Sequence, residues 1–118
     1  MADFPRSPCP IASTLDILGD KWTLLILRDL INGKRRYGEF LESPERISTN
    51  ILADRLKTLE KAQIIEKRRY SERPVRYEYS LTEKGEALLP VLREICRWAN
   101  RFIPGTWMPP TAFMERRL

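Results

Sequence analysis

The chain has 118 residues, 42% of them apolar, and a formal charge of +5 from 21 Lys and Arg against 16 Asp and Glu, which suits one domain with its own core. It holds no histidine and only two cysteines, so the Ser-His-Asp and Cys-His catalytic sets, a zinc site and a disulfide scaffold are all missing. There is no Gly-rich phosphate loop, no apolar run near the about 20 residues of a membrane span and no signal-peptide pattern. The expectations are therefore no enzyme, no cofactor, no metal, no membrane, and a cytoplasmic location with reduced thiols.

Residues 1–9 read as an N-terminal arm. Pro10 suits a first helical turn, where its missing N–H costs little, and Ile11, Leu15 and Leu18 follow at helical spacing up to Gly19. Asp20 is placed to cap a second helix, with Trp22, Leu25, Ile26 and Leu30 on one face and Asn32-Gly33 at its end. Lys34-Arg35-Arg36 is a short basic connection. A short third helix carries Phe40 and Leu41 and stops at Ser43-Pro44. Ser48 caps a fourth helix through about Ala62, with the stripe Ile51, Leu52, Leu56 and Leu59.

The period then changes from helical to alternating. Val75, Tyr77, Tyr79 and Leu81 alternate with Arg76, Glu78 and Ser80, which is a strand pattern. Ile64–Tyr70 can pair with it across a turn at Ser71-Glu72-Arg73-Pro74. Thr82 caps a last helix running to about Ile103, with a kink or break expected at Pro90. Residues 104–118, with Pro104, Gly105, Pro109 and Pro110, read as a mostly non-helical tail outside a domain spanning 10–103.

This order predicts a mainly α fold with a small β-hairpin: a winged helix-turn-helix whose second motif helix enters the major groove of duplex DNA. Opposite its leucine stripe, that helix presents Asn50, Ala53, Asp54, Lys57 and Lys61, with Thr49 at the flank. Asn50 suits adenine, Thr49 a base edge or thymine methyl, Lys57 a phosphate, and Ala53 a close approach. Such a face also fits plain solvation, so the hairpin weighs more. Residues 67–76 hold Lys67, Arg68, Arg69, Arg73 and Arg76 against Glu72 alone. Like charges this dense repel, and phosphates would relieve them. Arginine at the tip also suits the negative minor groove. Arg55 lies nearer the buried face, where a structural ion pair and a phosphate contact are both open.

Several blocks in order resemble the HxlR-type transcriptional regulators, relatives of the MarR group. They are Cys9-Pro10, Leu15 to Arg28 (LDILGDKWTLLILR), Ile47 to Leu56 (ISTNILADRL) and Tyr77 to Gly85 (YEYSLTEKG). The resemblance covers roughly Cys9 to Phe102. It implies a homodimeric regulator on a pseudo-palindromic operator, with the recognition helix at Ser48–Leu59 and the wing at Arg68–Tyr79. The implied DNA contacts are Ser48, Thr49, Asn50, Ala53 and Lys57 on the helix, and Arg35, Arg36, Arg68, Arg69, Arg73 and Arg76 on the basic loop and wing. Two departures stand out. Gln63 replaces the frequent glycine after the recognition helix, and Arg73-Pro74 replaces paired prolines at the wing tip.

The last helix is apolar on more than one face, more than covering one domain requires. Leu88, Leu92, Ile95, Ala99 and Phe102 form one stripe and Leu89, Cys96 and Ile103 another. With Ile11 and Leu15, this surplus predicts a two-fold interface in which Leu92, Ile95, Cys96, Ala99 and Phe102 take part. Cys9 precedes the first helix, where amides and dipole favour a thiolate. The resemblance makes it a candidate redox sensor, and an oxidant or small molecule a candidate effector. Two other classes are weaker. A winged-helix module that binds only protein predicts an uncharged wing. A thiol enzyme needs a base beside Cys9, which the lack of histidine leaves to Lys or a carboxylate.

Overall fold

Helix ends in this chain fall where side chains or backbone can satisfy the free amides and carbonyls. The computed structural model describes residues 4–116. Its elements are α1 (Pro10–Leu18), α2 (Thr23–Ile31), α3 (Tyr37–Leu41), α4 (Thr49–Lys61), β1 (Ile65–Glu72), β2 (Val75–Leu81), α5 (Glu83–Glu86), α6 (Leu89–Phe102) and α7 (Thr111–Glu115). Residues 1–3 of the arm and 117–118 of the tail lie outside the described residues.

Asp20 sits three residues before α2, and its carboxylate accepts from the N–H groups of Trp22 at 2.9 Å and Thr23 at 3.1 Å. The Ser48 hydroxyl accepts from Ile51 N–H at 3.3 Å, and the Thr82 hydroxyl from Gly85 N–H at 3.2 Å, each filling one orphan donor of a helix start. Two helices end in the same backbone device. After α2, Lys34 N–H donates to Asp29 O and Gly33 N–H to Leu30 O. After α4, Ile64 N–H donates to Leu59 O and Gln63 N–H to Glu60 O. Both are Schellman closures, which need a left-handed residue. Gly33 supplies it at φ 103° and Gln63 at φ 62°. The departure at Gln63 therefore keeps the glycine geometry without glycine.

The core gathers Ile26, Leu27, Leu30 and Ile31 of α2, Phe40 of α3, Leu52, Leu56 and Leu59 of α4, Ile64 and Ile65, and Leu89 and Leu92 of α6. The hairpin is antiparallel, with Ile65 opposite Leu81, Lys67 opposite Tyr79 and Glu72 opposite Val75. A bulge lies between Arg69 and Ser71. The strands run further than expected, and only Arg73 and Pro74 separate them. Arg36 bridges to Glu78 on the outer edge of β2, while Tyr79 N–H donates to Arg35 O at 2.7 Å. The residues before α3 thus extend the hairpin edge.

The structure sharpens three expectations. Of the kink or break expected near Pro90, the chain takes the break: the run from Thr82 divides into α5 and α6, and Pro90 falls in the first turn of α6, where it costs no internal hydrogen bond. Gly85 lies within α5, where a Cβ would stand 2.2 Å from Ile64 O, so only glycine lets α5 approach the start of the hairpin. Leu92, assigned to the interface stripe, is 7% exposed and packs in the chain's own core. Ile95 and Phe102 of the expected stripe do face outward, and Val91 and Trp98 join them there. Finally, residues 104–116 are non-helical except for the short α7, but that helix returns Phe113 to the core at 7% exposure, so the tail packs on the domain it was expected to lie outside. There the Arg93 guanidinium donates to Phe113 O at 2.9 Å, and Arg116 donates to Ile31 O.

Candidate nucleic-acid interface

The α4 face opposite the leucines is open to solvent. Ser48, Thr49, Asn50, Ala53, Lys57 and Lys61 are all exposed, while Leu52, Leu56 and Leu59 are buried. Two contacts hold this helix in place. The Tyr37 hydroxyl donates to Thr49 O at 2.5 Å, tying α3 to the first turn of α4. The Arg55 guanidinium donates to Asp20 at 2.8 Å and pairs with Asp54 at 2.5 Å. Arg55 is therefore in a structural ion pair, and Asp20 joins the start of α2 to the middle of α4. Sequence reasoning placed Asp20 as a cap but missed this second partner, 35 residues away. It also missed Tyr37, because no local pattern marks a hydroxyl reaching across a turn.

Asp20 is only partly covered. Burial pushes its carboxyl up, but the hydrogen bonds from the Thr23 hydroxyl, Trp22 N–H, Arg55 and Thr23 N–H outweigh that and hold its pKa at about 2. At the neighbouring corner Arg28 grips Glu45 bidentately, at 2.8 Å for both bonds. That hydrogen bonding holds the Glu45 carboxyl below its usual range. Buried Asp29 accepts from the Ser43 hydroxyl, with Lys34 Nζ 3.8 Å away. Before α3, Glu39 accepts from Arg35 N–H at 2.9 Å and Arg36 N–H at 2.8 Å, which lowers its carboxyl as well.

The wing's charge is less bare than its own ten residues suggest. Arg68 pairs with Glu78 at 2.7 Å, Arg69 with Glu72 at 3.2 Å and Lys67 with Glu60 at 3.7 Å. Lys67 also sits 4.5 Å over the Tyr77 ring, and Arg36 4.0 Å over Tyr70. Glu60 on α4 and Glu78 on β2 lie outside residues 67–76, so part of the repulsion expected from that window is answered within the fold. Among the described residues, no ion pair reaches Arg73 or Arg76, and both are exposed at the hairpin end. Arg35 plays a different part. Its guanidinium donates to Leu30 O at 2.8 Å and Lys34 O at 2.9 Å, closing the loop after α2.

The remaining candidates divide by exposure. Ile11 is 72% exposed and Leu15 52%, so α1 leaves its apolar face uncovered. Ile95 and Phe102 are exposed, Ala99 is half-buried, and Cys96 is half-buried against the core. Cys9 is a free, exposed thiol at the N-cap of α1. Among the described residues there is no cluster that could hold a metal, and no helix long and apolar enough to cross a membrane.

Comparison with known proteins gives this arrangement a context. The chain is 40% identical over 101 residues to the uncharacterized HTH-type transcriptional regulator YvaP of Bacillus subtilis, covering 85% of this chain and 94% of the relative. It is 42% identical over 99 residues to the HTH-type transcriptional regulator YodB of the same organism, covering 82% and 88%. The reduced form of YodB superposes with a TM-score of 0.69 at 39% identity, over 86% of this chain and all of that one. YodB has also been solved diamide-treated and quinone-bound. The redox regulator HypR in its oxidized form gives a TM-score of 0.71 at 34% identity, over 79% and 96%. These relatives are transcriptional regulators, not enzymes. Residues 17–106 match the HxlR-like helix-turn-helix model, and the chain belongs to that family of DNA-binding transcription regulators.

Proposed function

We propose that the chain is a cytoplasmic, sequence-specific regulator that binds a pseudo-palindromic duplex operator as a homodimer. The observation that carries this reading is the pairing of two exposed elements. One is the polar start of α4, with Thr49, Asn50 and Ala53. The other is a hairpin end whose Arg73 and Arg76 have no acidic partner among the described residues. Asn50 reads a base edge, Ala53 lets the helix approach, and Ser48, Lys57, Arg36, Arg68, Arg69, Arg73 and Arg76 serve the phosphates. A module that binds protein alone has no use for these tip cations. Homodimerisation is supported by the uncovered stripe of Val91, Ile95, Trp98 and Phe102 and by Ile11 and Leu15, since soluble monomers rarely leave such patches open. Selection of bound genomic fragments followed by a mobility-shift titration tests the reading. The expected result is one enriched dyad motif bound with steep salt dependence. Absence of salt-sensitive binding to any duplex sinks it.

The signal we propose is an oxidant or electrophile acting at Cys9. Its thiol is exposed at the start of the uncovered helix α1, so modification there alters a face assigned to the partner. The redox forms of YodB and HypR point the same way. Operator binding by Cys9→Ser should be indifferent to diamide or a quinone; a response equal to that of the unaltered chain ends the sensor assignment.

A further inference from the structure

We propose that Arg46, in the turn between α3 and α4, is a further DNA contact: its guanidinium takes a backbone phosphate beside the bases faced by the first turn of α4. This deepens the DNA-binding reading above and rests on it.

Among the described residues other than glycine, only Arg46 and Gln63 hold a positive φ, at 59° and 62°. That conformation is costly for an L-residue and is open chiefly to glycine, asparagine and aspartate. Gln63 has a backbone reason to bear it, since it closes α4. Arg46 closes a single turn, its N–H donating to Ser43 O at 3.0 Å. The turn needs the conformation but not the arginine. What the arginine adds is an exposed cation. Among the described residues its guanidinium enters no hydrogen bond and no ion pair, and the carboxylate next to it in the chain, Glu45, is already gripped by Arg28 with both bonds at 2.8 Å.

The turn is fixed on either side of Arg46. Ser43 is buried, with its hydroxyl donating to Asp29 and accepting from Lys34 Nζ at 2.9 Å. Ile47 is buried as well. With Ser43, Glu45 and Ile47 anchored, the Arg46 backbone cannot leave the left-handed region without releasing them. Strain of this kind persists where its surroundings over-determine it, and it gathers at functional positions.

Place in the chain selects the partner. Arg46 stands two residues before the N-cap Ser48, and three and four before Thr49 and Asn50. With the first turn of α4 in a major groove, a residue just ahead of the helix leaves the groove floor and meets its wall, which is phosphate. A planar guanidinium matches phosphate oxygens with paired N–H donors.

The test compares operator affinity of the whole chain with that of Arg46→Gly, Arg46→Asn and Arg46→Lys at several salt concentrations, beside thermal midpoints. Glycine and asparagine accept the left-handed conformation, so these variants remove the charge without altering the turn. Both should lose about five- to tenfold in affinity at low salt, evenly across sequences, with the salt slope reduced by about one per half-site. Their thermal midpoints should equal or exceed the parent's. Arg46→Lys should keep the parent's slope. Unchanged affinity and slope in the glycine and asparagine variants overturn the contact, and so does a slope lowered as far by Arg46→Lys. Affinity lost in step with a lowered midpoint also overturns it, because the turn rather than the charge then fails. An altered selected motif replaces the phosphate contact by a base contact. A parent chain without salt-sensitive duplex binding removes the DNA-binding reading and this contact together, whereas a parent that binds while both uncharged variants match it removes the contact alone.

Discussion

Asp20 shows how one side chain can serve two elements. It accepts from two amides ahead of α2 and from Arg55 on α4. Because its pKa falls from 3.8 to about 2 on folding, the stability it contributes is full above the unfolded value and is lost as pH drops through the folded one. Asp20→Asn should lower stability at neutral pH by about 1–3 kcal/mol and flatten the acid limb of the stability profile, read by urea melts across pH. An unaltered acid limb would assign that loss to other carboxylates. Gln63 is the opposite case, a residue held where its Cβ is unwelcome. At φ 62° it bears a left-handed conformation costing about 1–2 kcal/mol for an L-residue. Gln63→Gly should raise the midpoint of thermal unfolding, by an amount corresponding to about 1 kcal/mol after the entropy glycine adds to the unfolded chain.

At the scale of elements, α4 and the wing divide their work by chemistry. Arg73→Ala or Arg76→Ala should weaken binding evenly across sequences and reduce the salt slope by about one. Arg68 and Arg69 should matter less, because Glu78 and Glu72 already compete for them. Asn50→Ala should relax preference at one base pair, at a cost of about 1–3 kcal/mol if its contact is bidentate; a selected motif identical to the parent's would refute that role. The elements themselves were largely readable in the sequence. Leu52, Leu56 and Leu59 announce α4 by their spacing, Ser48 and Thr82 announce helix starts, and Val75 to Leu81 announces a strand. Less readable was the break before Pro90. A proline within an apolar pattern leaves kink and break equally open, and the break falls at Ala87 and Leu88, so that Pro90 begins α6.

For the whole molecule, the decisive feature is which apolar face remains uncovered. Leu89 and Leu92 turn inward, and Val91, Ile95, Trp98 and Phe102 outward, with Trp98 and Phe102 ring centres 5.6 Å apart. Ile95→Glu with Trp98→Glu should give monomers by sedimentation equilibrium without loss of helical circular dichroism, since neither residue is in the core. Monomers should also bind operator far more weakly, because two half-sites are then engaged singly. The tail belongs to this scale too. Phe113 fills a core position and Arg93 and Arg116 fasten it. Phe113→Ala should cost about 3–5 kcal/mol by chemical denaturation, although the residue lies beyond the matched family region.

The sequence by itself determined the order and type of the elements from α1 to β2, the starts at Asp20, Ser48 and Thr82 and the family, because these rest on short-range periodicity, capping chemistry and local motifs. Only the tertiary structure decided the partners of Asp20, the pairing of Lys67 with Glu60 and of Arg68 with Glu78, the rotation of α6 that buries Leu92, and the return of Phe113 to the core. Each of these joins residues far apart in the chain or depends on the angular placement of a helix. A linear pattern carries the period of a helix, but not the face that its neighbours leave open.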